Sequence, residues 1–73
     1  MERLVDGIFS YFDAYDGLNM ARELAYDYGY ITLADLKDCF GICPSPDDTK
    51  RRFDYNTITT KVHVWGGSIV MDT

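Results

Sequence analysis

Cysteine and histidine are scarce in this chain, and their scarcity closes off classes of protein. Two cysteines, Cys39 and Cys43, make no disulfide framework of the kind that staples small secreted domains. They stand four apart, and with the single histidine, His63, they supply three ligands, which leaves the fourth to one of many carboxylates. Zinc sites are ordinarily built from four ligands with the cysteines paired on a tight turn, so neither a metal nor any other cofactor is expected. No apolar run approaches the roughly 20 residues that cross a bilayer. The opening MERLVDGIF also lacks the charged-then-apolar layout of a signal peptide, so the expectation is a cytoplasmic protein with no membrane contact. A glycine-rich phosphate loop is missing. No serine stands beside His63 in a nucleophile motif, and Asp47 and Asp48 are neighbours in one loop rather than carboxylates facing across a cleft. The expectation is that this is not an enzyme.

Positive charge is short as well. Seven lysines and arginines face twelve aspartates and glutamates, for a formal net charge of −5. The field of such a molecule repels phosphates, which argues against a nucleic-acid partner. An acidic surface suits solubility, or docking onto a basic groove of another protein.

What the sequence has in quantity is apolar and aromatic side chains. Hydrophobic residues make up 47% and aromatics 15%, a composition that folds rather than one that stays disordered. With 73 residues, 1–73 reads as a single small domain that buries only about 60% of the surface exposed by its unfolded chain. A deep catalytic cavity is not expected at that size.

The clearest punctuation lies in YGYITLADLKDCFG, residues 28–41. Gly29 suits the left-handed turn that ends a helix, Thr32 is a helix cap with Asp35 at the capping-box position, and Gly41 stops the helix so opened. Upstream, residues 3–9 read as a strand or extended lead-in, the alternative being one helix from near Glu2. Ser10, with Asp13 three residues on, reads as the cap of a helix over about 11–28. Tyr11, Ala14, Tyr15, Leu18, Ala21, Leu24, Ala25 and Tyr28 recur at helical spacing and read as its buried stripe, with tyrosine hydroxyls reaching water. Gly17, in the middle, admits close approach by a neighbour.

Residues 42–56 hold both prolines and read as a surface loop. TITTKVHVW, residues 57–65, reads as a strand, Gly66 and Gly67 as a two-residue hairpin turn, and SIVM as the returning strand. The predicted fold class is α+β: two helices packed on a small antiparallel sheet, in the order β-α-α-β-β with a C-terminal hairpin.

One alternative is a helix-turn-helix with a wing, in which Lys50, Arg51 and Arg52 occupy a second helix facing a DNA groove. Pro44 and Pro46 interrupt that turn, and residues 47–55 carry no apolar stripe, so the scaffold would be a degenerate one.

The run YGYITLADLKDCFG, followed by Asp48, Thr49, Lys50 and Phe53 and then by KVHVWGG, resembles a small uncharacterised domain of phage and prophage proteins of Gram-positive bacteria. That family's pattern runs tyrosine-glycine, a β-branched link, A-D-L-Y-D-L-x-G, a loop D-N-K-Y-G-W and a hairpin with an x-Gly turn. The likeness extends from Ser10 to the C-terminus. Lys37 stands where the pattern has tyrosine, and Arg51 and Arg52 replace its tyrosine and glycine, which makes this loop more basic. The resemblance implies a phage setting, a bacterial host cytosol and a compact α+β domain, and it supplies no catalytic residue.

The function so expected is a phage accessory protein that binds a protein of host or phage, for example an anti-CRISPR or other anti-defence inhibitor. The alternatives are a phage structural or assembly component, with the tyrosine-rich helix face making a homodimer contact, and the degenerate DNA-binding regulator. The residues expected to touch a partner are Lys50, Arg51, Arg52 and Phe53 in the loop and Asp13, Asp16 and Asp27 on the first helix.

Overall fold

The computed structural model describes residues 1–7 and 11–72, with Tyr11 and Phe12 as backbone. The chain runs β1 (Glu2–Val5), α1 (Tyr11–Tyr28), β2 (Tyr30–Thr32), α2 (Leu33–Asp38), a 3-10 turn (Pro46–Lys50), β3 (Arg52–Asp54), α3 (Tyr55–Thr60), β4 (Val62–Trp65) and β5 (Ser68–Met71). This is the α+β class read from the sequence, with additional elements between the second helix and the hairpin. The expected cap at Ser10 and residues 8 and 9 of the expected lead-in lie outside the described residues.

Two antiparallel sheets frame the helices. The larger has the order β1-β5-β4, and the smaller pairs β2 with β3. The glycines at 66 and 67 take φ of 56° and 83°, the positive values that a two-residue turn with right-handed strand twist demands. They set Trp65 opposite Ser68 and Val62 opposite Met71. The first strand then pairs with the last, Glu2 facing Met71, which settles residues 2–5 as strand rather than helix.

Alanine makes α1 a close-packing helix. Ala14, Ala21 and Ala25 are fully buried with Leu18, and the short side chains let the helix lie near β2, α2, α3 and β4. The stripe read from the sequence is corrected at its rings: Tyr15 and Tyr28 are exposed at 54% and 73%. Side chains from both sheets, α2 and α3 fill the core instead. Ile31, Leu36, Phe53, Ile58, Val62 and Ile69 complete the core.

At the α1–α2 junction Gly29 has φ 87°, and Thr32 and Asp35 close the capping box. The Asp35 amide donates to Thr32 Oγ1 at 3.2 Å, and the Thr32 amide donates to Asp35 Oδ2 at 3.1 Å. Two of the orphan N–H groups of a six-residue helix are thereby satisfied.

Two readings downstream are corrected. Residues 57–60 are helical, not strand, because the Asp54 carboxylate accepts from the Thr57 amide at 2.8 Å and caps α3. The Thr59 and Thr60 hydroxyls donate back to the Tyr55 and Asn56 carbonyls, which suits β-branched threonine to a single helical turn. The segment 42–56 is likewise more than a loop. Its 3-10 turn is held by Asp48, whose carboxylate accepts from the Ser45 amide at 2.9 Å and from Lys37 Nζ at 2.8 Å, and β3 then pairs Phe53 with Ile31. No helix presents the basic cluster as a winged-helix scaffold would, since Lys50 ends the 3-10 turn and Arg52 opens a strand.

Candidate protein-docking face

The outer side of α1 divides into two stripes. Asp13, Asp16, Met20, Glu23 and Asp27 recur at steps of three and four on one side, all exposed. Tyr15, Asn19, Arg22 and Tyr26 form the stripe beside it, and the alanines and Leu18 face inward. From Asp13 to Asp27 the carboxylate stripe runs about 21 Å along the helix axis, at about 1.5 Å per residue. None of the ion pairs among the described residues involves Asp16, Glu23 or Asp27.

A hollow lies at each end of this stripe. Arg22, Glu23, Tyr26, Asp27 and Tyr55 surround about 540 Å³ between α1 and α3. There the Tyr26 and Tyr55 rings meet edge to face, their centroids 5.3 Å apart. The second hollow, about 290 Å³, lies where α1 meets the end of α2 and is walled by Met20, Cys39, Phe40 and Ile42, with Asp13 and Asp16 on it. Both hollows are open, and both combine apolar walls with carboxylates.

The loop residues expected to touch a partner are dispersed instead of gathered. Phe53 is 3% exposed and belongs to the core, where its pairing with Ile31 places it, so it is withdrawn from the contact set. Arg51 is bound by both carboxylate oxygens of Glu2, a fork that ties β1 to the start of β3, and its guanidinium lies over the Phe53 ring at 5.3 Å. The same fork holds the Glu2 carboxyl below its usual range and raises Arg51. Arg52 sits over the Tyr30 ring at 4.7 Å, and Lys50 lies 3.6 Å from Asp47. Of the four, Lys50 and Arg52 are exposed. The three expected on α1, Asp13, Asp16 and Asp27, do fall on one face.

Glu23, Tyr26 and Tyr55 join that face without having been singled out. Glu23 was readable, being seven residues beyond Asp16 on the same stripe. Tyr55 was not, because its position depends on the helical turn at 55–60.

Burial raises the Cys39 thiol, with Asp35 and Asp38 adding to the effect, which disfavours the reactive thiolate. Among the described residues no three His, Cys, Asp or Glu side chains are grouped as a metal ion would require. His63 Nε2 instead lies 3.1 Å from Asp72 Oδ2 at the hairpin base. No helix among the described residues is long and apolar enough to cross a membrane. No protein-family model, curated protein or solved structure matches this chain.

Proposed function

We propose that this chain is a non-enzymatic accessory protein of phage or prophage that acts by binding a protein partner through the outer face of α1. The partner offers a basic surface, and the reading extends to a host-directed inhibitor, an anti-CRISPR or other anti-defence protein whose carboxylates occupy a groove otherwise filled by nucleic acid. Its setting is the host cytosol. One observation carries it: α1 holds Asp27 in its last turn, one turn beyond Glu23, with no base in that turn. A carboxylate there opposes the helix dipole and repels its neighbour at i−4, so it costs stability where lysine would contribute some. Long-range attraction to a basic partner is what such a stripe supplies, in rate of encounter and in choice of partner.

The test compares the tagged chain with an Asp16→Asn, Glu23→Gln, Asp27→Asn variant against the same host lysate. A partner held by the first, lost by the second, released at about 1 M salt where the Debye length is about 3 Å, and displaced by nucleic acid supports the reading. A partner retained equally by both overturns it.

A second reading, an assembly component acting by homomeric contact, draws on the exposed rings of Tyr15, Tyr26 and Tyr28 beside the acidic stripe. Light scattering decides it. A mass that stays at one chain of 8.4 kDa across the concentration range removes this reading.

A further inference from the structure

The hollow between α1 and α3 has a chemistry that a solvent-facing surface does not require. Tyr26 and Tyr55, exposed at 72% and 43%, are nevertheless ordered against each other at an interplanar angle of 69°. They give a preformed aromatic corner on two different elements. Glu23 and Asp27 line the same hollow, one helical turn apart. The remaining lining residue, Arg22, has its Nη1 turned back to Asn19 Oδ1 at 3.4 Å, while its Nε is buried without a hydrogen-bond partner.

Aromatic faces flanked by carboxylates attract a cation, and they do so most for one that can stack and fork. Arg22 Nε is closed to solvent, so a guest does not reach it. Two carboxylates against the single charge of Arg22 leave the lining net negative, so an acidic guest is disfavoured. A peptide segment carrying a basic side chain offers that cation. The hollow falls within the roughly 300–1,000 Å³ range of small-ligand clefts, which leaves room for one long side chain and its peptide unit.

We infer that this hollow receives an arginine side chain of the protein partner. The guanidinium lies against the Tyr26 and Tyr55 rings and the Glu23 and Asp27 carboxylates. This rests on α1 being the docking face and names the anchor that the face takes. Arginine is preferred to lysine because its plane stacks on a tyrosine ring while its edge still reaches a carboxylate.

The test is an NMR titration of the whole chain with N-acetyl-arginine N-methylamide, followed at the Tyr26 and Tyr55 ring signals. The citrulline and lysine analogues serve as comparisons. Saturable shifts at both rings are expected with arginine, weakened by roughly tenfold or more in the Glu23→Gln, Asp27→Asn variant. Citrulline, which keeps the shape and loses the charge, is expected to give none, and lysine to bind more weakly than arginine. Equal shifts with citrulline or lysine, shifts centred elsewhere, or unaltered binding by the variant overturn the inference. A thermal melt of the variant, whose changes are isosteric and on an exposed face, verifies that it is folded. Loss of the lysate partner in the triple variant with no arginine binding in the titration sinks this inference and leaves the docking face standing. Arginine binding with the partner retained by the triple variant overturns the docking face and, with it, the assignment of that arginine to the partner.

Discussion

A Cβ placed on Gly17 would fall inside contact distance of three ring atoms of Phe40, so the absence of a side chain at residue 17 is what lets the end of α2 close on α1. Alanine at an interior helical position normally gains about 1 kcal/mol over glycine. Here the gain is outweighed by overpacking, which costs about 1–3 kcal/mol when a close-packed contact must move. Gly17→Ala is expected to lower stability in urea denaturation by about 1 kcal/mol, and Gly17→Ala with Phe40→Ala to recover part of the loss relative to Phe40→Ala alone. If Gly17→Ala stabilises the protein, the ring is not held where the structure puts it.

Asp27 is the residue at which stability and the proposed binding are set against each other. Replacing it by lysine turns a repulsive i,i+4 pair with Glu23 into an attractive one of the favoured orientation and places a cation in the last turn of α1. Asp27→Lys is expected to raise stability by about 0.5–1 kcal/mol while weakening partner capture. A destabilised variant would mean that Asp27 serves the fold.

The acid limb of the stability curve follows from four carboxyls. Lys37, then the Ser45 amide, lowers Asp48; the Ser68 hydroxyl, then the Gly7 amide, lowers Asp6; Thr57 lowers Asp54; and Arg51 lowers Glu2. Each folded-state value lies below the unfolded one, so each contribution is present above the unfolded pKa, about 3.9 for aspartate and 4.3 for glutamate, and is lost as pH falls through the folded value. The urea midpoint is expected to hold from neutral pH to about 5 and to drop steeply below about 4. Asp48→Asn keeps an acceptor for the Ser45 amide but loses the charge facing Lys37, so its acid limb is expected to be shallower. An identical limb would remove the Lys37–Asp48 pair from the account.

Ile58 tests the helical turn at 55–60. It is fully buried, on the face of α3 that packs against α1. Ile58→Ala is expected to cost about 2–5 kcal/mol, the range for truncating a buried isoleucine, and in a chain this small that is a large share of the total. Thr60→Ala, at an exposed position whose hydroxyl bonds only within the turn, is expected to stay within about 0.5 kcal/mol of the parent. Urea denaturation of the two variants reads both, and comparable losses would argue for a different register of the segment.

Local signals in this chain were legible where one residue type has one physical use. Glycines 29, 41, 66 and 67 all take positive φ, and Thr32 with Asp35 forms the box that their spacing implied. The hairpin and the span of α1 followed from the same kind of reading. The misreadings came from residues with two uses. Threonine is favoured in strands, but at 57, 59 and 60 it donates to or sits beside a capped turn, and only the distant packing of Ile58 decides between the two. Tyrosine has an apolar ring and a polar tip, and whether it faces in or out depends on what else fills the core. The acidic half of the docking face was readable as periodicity. Its aromatic half depends on α3 meeting α1, a contact that no local pattern carries.

The register that sets Glu2 opposite Met71 also bears on how the chain comes to fold. The three-stranded sheet has its last strand in the middle, so β1 finds no neighbour until residues 68–71 exist and have turned back through the hairpin. Pairing across nearly the whole chain length closes a large loop before any contact rewards it, and such closures slow folding. During synthesis residues 2–5 leave the ribosome well before residues 68–71, so β1 stays unpaired until the hairpin has formed.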